Sequence, residues 1–267
     1  MVRVMVAGAA GRMGRRIIHM VDADSSASLS GAIEREGHPS LEQDAGLLCG
    51  LGEKGVRISS SIEDIIDQGD VIIDFTAPES TLSNIKAVSA AGKAMVIGTT
   101  GMTGALLKEV ENLARGIRCV IAPNMSVGMN VLFKVAGDVA RILGNDYDME
   151  IVEAHHRLKK DAPSGTAMHL GRIIAAEVGR DLDEVGVYAR KGITGQRSDE
   201  EICIQSLRAG DITGDHTVLF GGAGERLELI HRAHSRDNFA KGALRAACWV
   251  VDQEPGLYDM QDVLGLR

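Results

Sequence analysis

The sequence predicts an α/β protein in which a Rossmann-like dinucleotide-binding domain precedes an α+β domain. Three observations lead to this prediction. Short apolar runs alternate with helical patterns in the first half, a glycine triplet follows the first run, and strands dominate beyond Pro123. Strands that alternate with helices typically form parallel sheets covered on both faces. A chain of 267 residues is long enough for two domains.

The first half predicts five buried strands, because its apolar runs are short and end in small or polar residues. These strands are Val2–Val6, Leu29–Ile33, Val71–Phe75, Ala94–Ile97 and Arg118–Ala122. Helical spacing of apolar residues predicts four helices between them. These helices are Met13–Val21, Ile62–Ile66, Thr81–Ala91 and Gly104–Ala114.

The second half predicts a long helix followed by a mostly antiparallel or mixed sheet. The helices are Val127–Leu143, Ser164–Val178 and a closing helix at Asp237–Val251. The strands are Asp148–Ala154, Ile202–Arg208, Thr217–Phe220 and Arg226–His231. The last strand alternates, so Leu229 and His231 are expected on one face and Ile230 on the other.

Composition narrows the classes of function. The net charge is −8, so the chain has no overall attraction for nucleic acid or anionic lipid. No apolar run approaches the ~18 residues that a membrane span requires. Four cysteines lie far apart among apolar neighbours, as buried thiols do in a reduced compartment. We therefore expect a cytoplasmic protein that binds neither nucleic acid nor membrane.

A glycine-rich turn follows the first strand and opens the first helix. Gly8, Gly11 and Gly14 have the spacing G-x-x-G-x-x-G, with Ala9 where the strict dinucleotide motif has its first glycine. Glycines let the backbone approach a pyrophosphate, and the helix start offers free N–H groups. The alternative is a tight strand–helix turn with solvated charges beyond it. The preceding strand and following helix favour the dinucleotide site.

Acidic and basic side chains follow the second strand at the distance expected for a ribose contact. Glu34 lies twenty residues after Gly14 and can accept hydrogen bonds from an adenosine ribose. Arg35 follows and can hold a 2′-phosphate. Together they predict tolerance of both NADH and NADPH. The loops Gly98–Gly101 and Ala122–Ser126 end later strands, where they either line a nicotinamide or form ordinary turns.

The segment EAHHRLKKDAPSGTA, at residues 153–167, gathers cations before a predicted helix. Ser164 is a good N-cap, and the helix that follows offers N–H groups to an anion. His155 and His156 are adjacent and point to opposite faces in extended backbone, which disfavours a metal site. The segment is either a solvated basic loop or a carboxylate-binding site with a proton donor. A neighbouring dinucleotide domain favours the second interpretation.

The same segment closely resembles the signature of the dihydrodipicolinate reductase family of bacterial diaminopimelate and lysine biosynthesis. The resemblance covers the whole chain and includes GAAGRMGRR, VIIDFTAPE, MVIGTTG, APNMSVGMN and RAGDITGDHTVLF. It implies NAD(P)H-dependent reduction of 4-hydroxy-tetrahydrodipicolinate, a cyclic dicarboxylate. Hydride would reduce C4 of the ring, and the neighbouring carbon would be protonated.

The resemblance also implies roles for individual residues and a domain plan. It implies His155 as the acid–base residue and Lys159 as its proton-donating partner. The implied substrate contacts are His156, Ser164, Gly165 and Thr166. The implied cofactor contacts are Gly8, Ala9, Ala10, Gly11, Arg12, Met13, Glu34, Arg35, Gly98, Thr99, Thr100, Ala122, Pro123, Asn124 and Met125. It implies a cofactor domain at 1–126 completed by 237–267, and a substrate domain at 127–236 that forms a homotetramer.

Two positions depart from the family pattern, and two other classes of function remain open. Met125 stands where other members often have an aromatic residue. Ala77 stands where some members carry arginine, which removes one possible phosphate contact. Arg12 and Arg35 remain for that purpose. A dinucleotide-sensing regulator would need a basic, aromatic-rich or winged-helix surface, which the sequence lacks. A dehydrogenase of an amino-acid semialdehyde would share the first half but has no need for the segment from His155 to Thr166.

Overall fold

The computed structural model describes all 267 residues and divides the chain into two compact units. The first unit comprises Met1–Val127 and Arg236–Arg267, and the second comprises Gly128–Ser235. Each unit has its own buried apolar core. No helix is both long enough and apolar enough to cross a bilayer.

The first unit is built on a seven-stranded parallel sheet in the order β12-β6-β5-β4-β1-β2-β3. Its strands are β1 Val2–Ala7, β2 Ala27–Ile33, β3 Ile58–Ser59, β4 Val71–Asp74, β5 Ala94–Ile97, β6 Arg118–Ile121 and β12 Gly256–Tyr258. Its helices are α1 Arg12–Asp22, α2 Ala45–Cys49, α3 Pro78–Ala90, α4 Gly104–Ala114, α8 Asp237–Val250 and α9 Met260–Leu264. The strand order reverses between β1 and β4, which is where doubly wound sheets bind ligands.

One predicted helix of this unit is wrong. The segment from Ile62 to Ile66 forms a turn that leads into a short 3₁₀ helix, Ile66–Gln68. Ile62, Ile65 and Ile66 are buried at helical spacing, as the pattern indicated. Only a few residues remain before β4 begins, and isoleucine loses rotamer freedom in a helix. A turn therefore buries the same face with fewer residues.

The end of the chain returns to complete the first unit. Helix α8 packs against α1, and its buried face consists mainly of alanine and glycine. Arg16 on α1 binds Asp237 through two hydrogen bonds, of 2.5 Å from Nε and 2.6 Å from Nη2. A Cβ on Gly242 would lie 1.7 Å from the Met125 carbonyl oxygen. The small residues therefore let α8 lie directly against the backbone after β6.

The second unit contains a five-stranded sheet in the order β11-β10-β7-β9-β8. Its strands are β7 Asp148–His155, β8 Gly186–Val187, β9 Ile202–Arg208, β10 Gly214–Gly222 and β11 Glu225–Ala233, and its helices are α5 Val127–Leu143, α6 Gly165–Glu177 and α7 Leu182–Val185. Two pairings are antiparallel, and two are parallel. The sheet is therefore mixed rather than mostly antiparallel. Because α6 and α7 intervene between β7 and β9, β9 runs parallel to β7.

The two faces of this sheet differ in burial. Met149, Ile151, Val218 and Phe220 are buried in the core that includes α5 and α6. On the opposite face, which we call the open face, Val152, Leu207 and Ile230 are exposed by 36%, 55% and 49%. The alternation predicted for the last strand is confirmed, because Leu229 and His231 pair with Val218 and His216 in register.

Replacing Gly242 by alanine is expected to destabilise the protein by about 1–3 kcal/mol, the usual cost of overpacking a filled core. The added methyl group would collide with the Met125 carbonyl. Thermal and denaturant unfolding measure the loss. Arg245→Ala, an exposed position on the same helix, serves as the control and should stay near the parent. A Gly242→Ala protein as stable as the parent would contradict the close approach.

Candidate active site

The glycine turn after β1 brings helix α1 against the end of the strand. Gly8 has a positive φ of 69°. A Cβ on Gly14 would lie 2.1 Å from the Gly8 carbonyl oxygen, so only glycine permits this packing. The helix starts at Arg12 after Gly11, and no side chain caps it. The turn therefore leaves the start of α1 uncovered by any side-chain cap.

Two amides of the turn donate hydrogen bonds to backbone carbonyls, and the amides that open α1 have no acceptor within the helix. Ala9 donates to the Ile33 carbonyl at 3.0 Å, and Gly11 donates to the Gly8 carbonyl at 2.9 Å. The first amides of α1, those of Arg12 and Met13, have no intrahelical acceptor. Free amides at a helix start, together with the positive end of the helix dipole, suit an anion. The residues present therefore fit the pyrophosphate of a dinucleotide.

Glu34 lies at the carboxyl end of β2, beside the glycine turn. Its carboxylate accepts hydrogen bonds from the Ala10 amide and the Arg35 amide, both at 3.1 Å. Arg35 and Arg12 are exposed. The structure thus brings Glu34 to the glycine turn, where a carboxylate can accept hydrogen bonds from a ribose, and leaves two guanidinium groups in solvent.

A buried polar network lies beneath the loop after β5. Asp74 ends β4 and is fully buried. Its carboxylate accepts from the Thr76 amide at 2.9 Å and from Asn84 Nδ2 at 2.9 Å. Thr99 is buried, and its hydroxyl accepts from Thr81 Oγ1 at 2.8 Å. The Thr99 side chain therefore joins the loops after β4 and β5.

Sequence reasoning missed this network. Its only signal was a carboxylate that ends the apolar run VIID. The flanking residues of the loop differ in exposure: Gly98 is buried and Thr100 is exposed. Asp74 and Thr99 thus hold a loop whose exposed residue, Thr100, lies at the carboxyl edge of the sheet.

The loop after β6 is divided between core and surface. Ala122 and Met125 are buried and pack in the core shared with α8. Pro123 is exposed. The Asn124 side chain accepts a hydrogen bond from the Ser126 amide at 2.9 Å. The Met125 side chain therefore packs in the core, whereas Pro123 and Asn124 form the outer surface of this loop.

The second unit places His155 at the end of β7, next to a buried carboxylate. His155 Nδ1 lies 2.6 Å from Glu153 Oε2. Arg208 donates hydrogen bonds to the same carboxylate from both terminal nitrogens, each at 2.8 Å. Burial raises the pKa of the fully buried Glu153, but hydrogen bonds from His155 and Arg208 outweigh burial and hold that pKa far below its usual range. Glu153 therefore remains ionised.

Sequence reasoning named Glu153 only as part of a strand, and it missed Arg208. The period of two in a strand places residues 153 and 155 on one face, which was the available signal. Arg208 is aligned with His155 across the parallel pair β7–β9. That register depends on tertiary structure, so no short-range pattern revealed it.

A second histidine packs against His155. The His216 ring is perpendicular to it, with the ring centroids 5.3 Å apart. His216 Nε2 lies 3.3 Å from Ser164 Oγ. Burial lowers the pKa of His216 to about 3, and the nearby His155 and Lys159 add to this effect. His216 is therefore neutral near pH 7.

The loop between β7 and α6 carries the remaining cations. Lys159 binds Asp161 at 2.8 Å, and its side chain is 20% exposed. Arg157 and Lys160 are exposed. His156 lies just beyond the strand, and its Nδ1 is buried without a partner in the protein. Of the predicted cluster, Lys159 and His156 are thus sheltered, whereas Arg157 and Lys160 face solvent.

Helix α6 begins as the sequence predicted, with Ser164 as its N-cap. The buried Ser164 hydroxyl accepts from the Ala167 amide at 3.2 Å, and the Ser164 amide donates to Glu153 Oε1 at 3.0 Å. Nothing lies within 4 Å of the position of a Cβ on Gly165. An anion can therefore approach the first turn at Gly165 and Thr166, while Ser164 shapes the turn from within.

Comparison with known proteins covers both units. Residues 2–125 match the family described as "Dihydrodipicolinate reductase, N-terminus", and residues 128–264 match "Dihydrodipicolinate reductase, C-terminus". A 4-hydroxy-tetrahydrodipicolinate reductase from Syntrophus aciditrophicus is 54% identical over 267 residues, all of both chains. One from Citrifermentans bemidjiense is 55% identical over the same length.

Solved structures show the same architecture. A dipicolinate-bound dihydrodipicolinate reductase from Paenisporosarcina sp. TG-14 is 27% identical, covers 97% of each chain and has a TM-score of 0.76. An amine dehydrogenase from Mycobacterium smegmatis is 15% identical, covers 96% of this chain and 94% of its own, and has a TM-score of 0.59, which concerns the fold alone. The chain therefore belongs to the dihydrodipicolinate reductase family, and it is an oxidoreductase of diaminopimelate and lysine biosynthesis that uses a nicotinamide dinucleotide.

Proposed function

We propose that this chain reduces 4-hydroxy-tetrahydrodipicolinate to tetrahydrodipicolinate with NADH or NADPH, assisted by His155 and Lys159, and that the 4-hydroxyl group of the substrate leaves as water. The observation that carries the proposal is the connection from β7 to α6. It gathers a histidine with an ionised carboxylate partner, a sheltered lysine and a helix start that is open on the side of Gly165 within one segment. The bound nicotinamide supplies the hydride.

The substrate carries two carboxylates, and the segment offers suitable groups for them. The amides of Gly165 and Thr166 at the start of α6 provide neutral donors and the positive end of a helix dipole. His156 lies just beyond β7 and holds a buried ring nitrogen without a hydrogen-bond partner in the protein. Ser164 contributes by capping the helix. We assign these four residues to substrate binding.

The proton that the reaction consumes comes from the His155–Lys159 pair. His155 and Lys159 both lie close enough to His216 to contribute to the lowering of the His216 pKa. His216 is neutral because burial lowers its pKa to about 3, so it does not supply the proton near pH 7. We therefore assign the protonation of the ring carbon to His155, with Lys159 as its partner.

A coupled assay tests this function. Pyruvate, aspartate semialdehyde and the synthase that condenses them generate the unstable substrate in place, and nicotinamide absorbance is followed. The double variant His155→Gln/Lys159→Met should lose about 100-fold or more in turnover, as expected for removal of general acid–base groups. It should still bind the cofactor. Binding of cofactor without oxidation in the parent protein would reject the proposal and favour a dinucleotide sensor.

Lys160→Met is the matched control for this variant. It removes an exposed cation one residue beyond Lys159. Surface charges have small effects on such sites, so turnover should stay within about threefold of the parent. An equal loss in both proteins would show that the positive charge of the loop matters rather than a positioned proton donor.

We propose that the cofactor site accepts both nicotinamide dinucleotides. The Glu34 carboxylate suits the ribose diol of NADH, and the exposed Arg12 and Arg35 suit the 2′-phosphate of NADPH. The remaining cofactor contacts are assigned to the loops that end β1, β5 and β6. They are Gly8, Ala9, Ala10, Gly11, Met13, Gly98, Thr99, Thr100, Ala122, Pro123, Asn124 and Met125.

Arg35→Ala is expected to raise the KM for NADPH about tenfold and to leave the KM for NADH nearly unchanged. Hydrogen bonds to charged groups contribute about 1.5–3 kcal/mol, and only NADPH carries the 2′-phosphate. Steady-state kinetics with each cofactor measures the ratio. Arg57→Ala, at an arginine 79% exposed in its side chain, is the control. Equal weakening of both cofactors would contradict the assignment of Arg35 to the phosphate.

We also propose that the second unit forms a homotetramer through its open face. Val152, Thr217 and Ile230 form one row across β7, β10 and β11. Exposed apolar side chains on a sheet indicate a surface that associates. The row is apolar at both ends, so a second copy of the same face can cover it.

The variant Val152→Glu/Ile230→Glu should dissociate this assembly, because it buries like charges in a shared interface. Light scattering after gel filtration measures the mass, with a tetramer expected for the parent and a smaller species for the variant. Ile142→Glu, at a residue 77% exposed on α5, is the control. A monomeric parent protein would reject the homotetramer.

A further inference from the structure

One buried carboxylate contacts both parts of the proposed substrate site. Glu153 Oε2 lies 2.6 Å from His155 Nδ1, and Glu153 Oε1 accepts a hydrogen bond of 3.0 Å from the Ser164 amide. Arg208 adds two hydrogen bonds of 2.8 Å to the carboxylate. The Glu153 side chain is fully buried, so every contact that it makes is with the protein.

We propose that Glu153, held by Arg208, is a positioning residue that fixes His155 as its Nδ1–H tautomer and aligns it with the start of α6. This inference rests on the proposed function, in which His155 delivers the proton and α6 holds a carboxylate. It assigns to Glu153 a part in that reaction without contact to the substrate.

The tautomer follows from the chemistry of the pair. An ionised carboxylate can only accept hydrogen bonds, so His155 Nδ1 must donate. Nε2 is then the only ring nitrogen that gains or loses a proton. When the proton passes to the ring carbon of the substrate, the Nε2–H bond breaks and its electron pair stays on nitrogen. Nδ1 keeps its hydrogen, and His155 ends neutral.

The space around Nε2 suits this role. A Cβ on Gly214 would lie 3.1 Å from His155 Nε2, so the glycine leaves that side of the ring uncrowded. The neighbouring ring of His216 is neutral near pH 7, because burial lowers its pKa to about 3. The His155 side chain retains 12% exposure. Nε2 is therefore reachable, and no second imidazolium competes with it.

Arg208 links this pair to the loop that carries the other cation. Its Nη2 donates to the Asp161 carbonyl at 2.6 Å, and its Nη1 donates to the Leu207 carbonyl at 2.6 Å. Asp161 in turn binds Lys159 through its carboxylate. The guanidinium fork thus fixes the carboxylate of Glu153 and the loop of Lys159 relative to each other.

A second carboxylate on β7 provides a matched control for the replacement of Glu153, because it forms ion pairs but does not contact His155. Glu150 lies three residues earlier on β7, on the open face. It binds Arg190 at 2.8 and 3.0 Å and Arg197 at 3.1 Å, and it makes no hydrogen bond to a histidine. Glu150→Gln therefore removes a comparable charge from β7 while leaving His155 untouched.

The first readout is the tautomer of His155 in the parent protein, measured without substrate. Nitrogen-15 chemical shifts of the imidazole at alkaline pH distinguish a protonated from an unprotonated nitrogen, and His155→Gln identifies the signals. We expect protonated Nδ1 in the parent and in Glu150→Gln. In Glu153→Gln the amide can either donate or accept, so a mixture of tautomers is expected.

The second readout is the kinetics of the same proteins. Glu153→Gln should lower kcat about 10- to 100-fold, a part of what a general acid supplies. The KM for the dicarboxylate and the Kd for the cofactor should change by less than about threefold, because Glu153 contacts neither. Glu150→Gln should keep kcat within about threefold, with its mass checked by light scattering.

Three results would overturn the inference. These are an Nε2–H tautomer in the parent, a kcat within about threefold of the parent for Glu153→Gln, or an equal loss for Glu150→Gln. If Glu153→Gln fails to fold, Glu153→Asp tests the inference instead. The shorter side chain keeps a negative charge for Arg208 but moves the carboxylate away from His155 Nδ1. This variant should show the same loss of kcat. An inactive parent with the Nδ1–H tautomer would reject the proposed function and retain the positioning of His155.

Discussion

The second unit depends on the compensation of one buried charge. Glu153 lies near the end of the central strand β7 with no exposure, and an ionised carboxylate there is stable only if donors and cations surround it. Arg208, His155 and the Ser164 amide supply them from a neighbouring strand, the same strand and a helix start. Because those partners come from three elements, the charge specifies how β7, β9 and α6 meet.

The first unit also contains a buried carboxylate, but its hydrogen-bond partners are neutral. Asp74 is also fully buried at the end of a strand, but its partners are a backbone amide, Asn84 and threonine hydroxyls. These groups join the loops after β4 and β5, which border the edge where the sheet reverses its strand order. In each unit a carboxylate near the end of a strand therefore organises neighbouring loops, to which we assign cofactor contacts in the first unit and substrate contacts in the second.

Much of the first unit could be predicted from the sequence, because its signals are local. The strand, glycine turn and helix from Val2 to Asp22 follow one another within about twenty residues, and each has its own pattern. The parallel alignment of β9 and the partnership of Arg208 with Glu153 could not be predicted in this way. They join residues 55 positions apart, and only the packing of α6 brings them together. Short elements such as β3 and α2 carry too few residues for a periodic signal.

The return of the chain to its first unit has a consequence for synthesis. The second unit is one continuous stretch, residues 128–235, whereas the first unit needs residues 236–267 from the very end. During translation the second unit emerges complete while the sheet of the first still lacks β12 and the cover of α8. The amino-terminal segment can therefore complete its sheet only after residues 236–267 have been made, although it is the part that was made first.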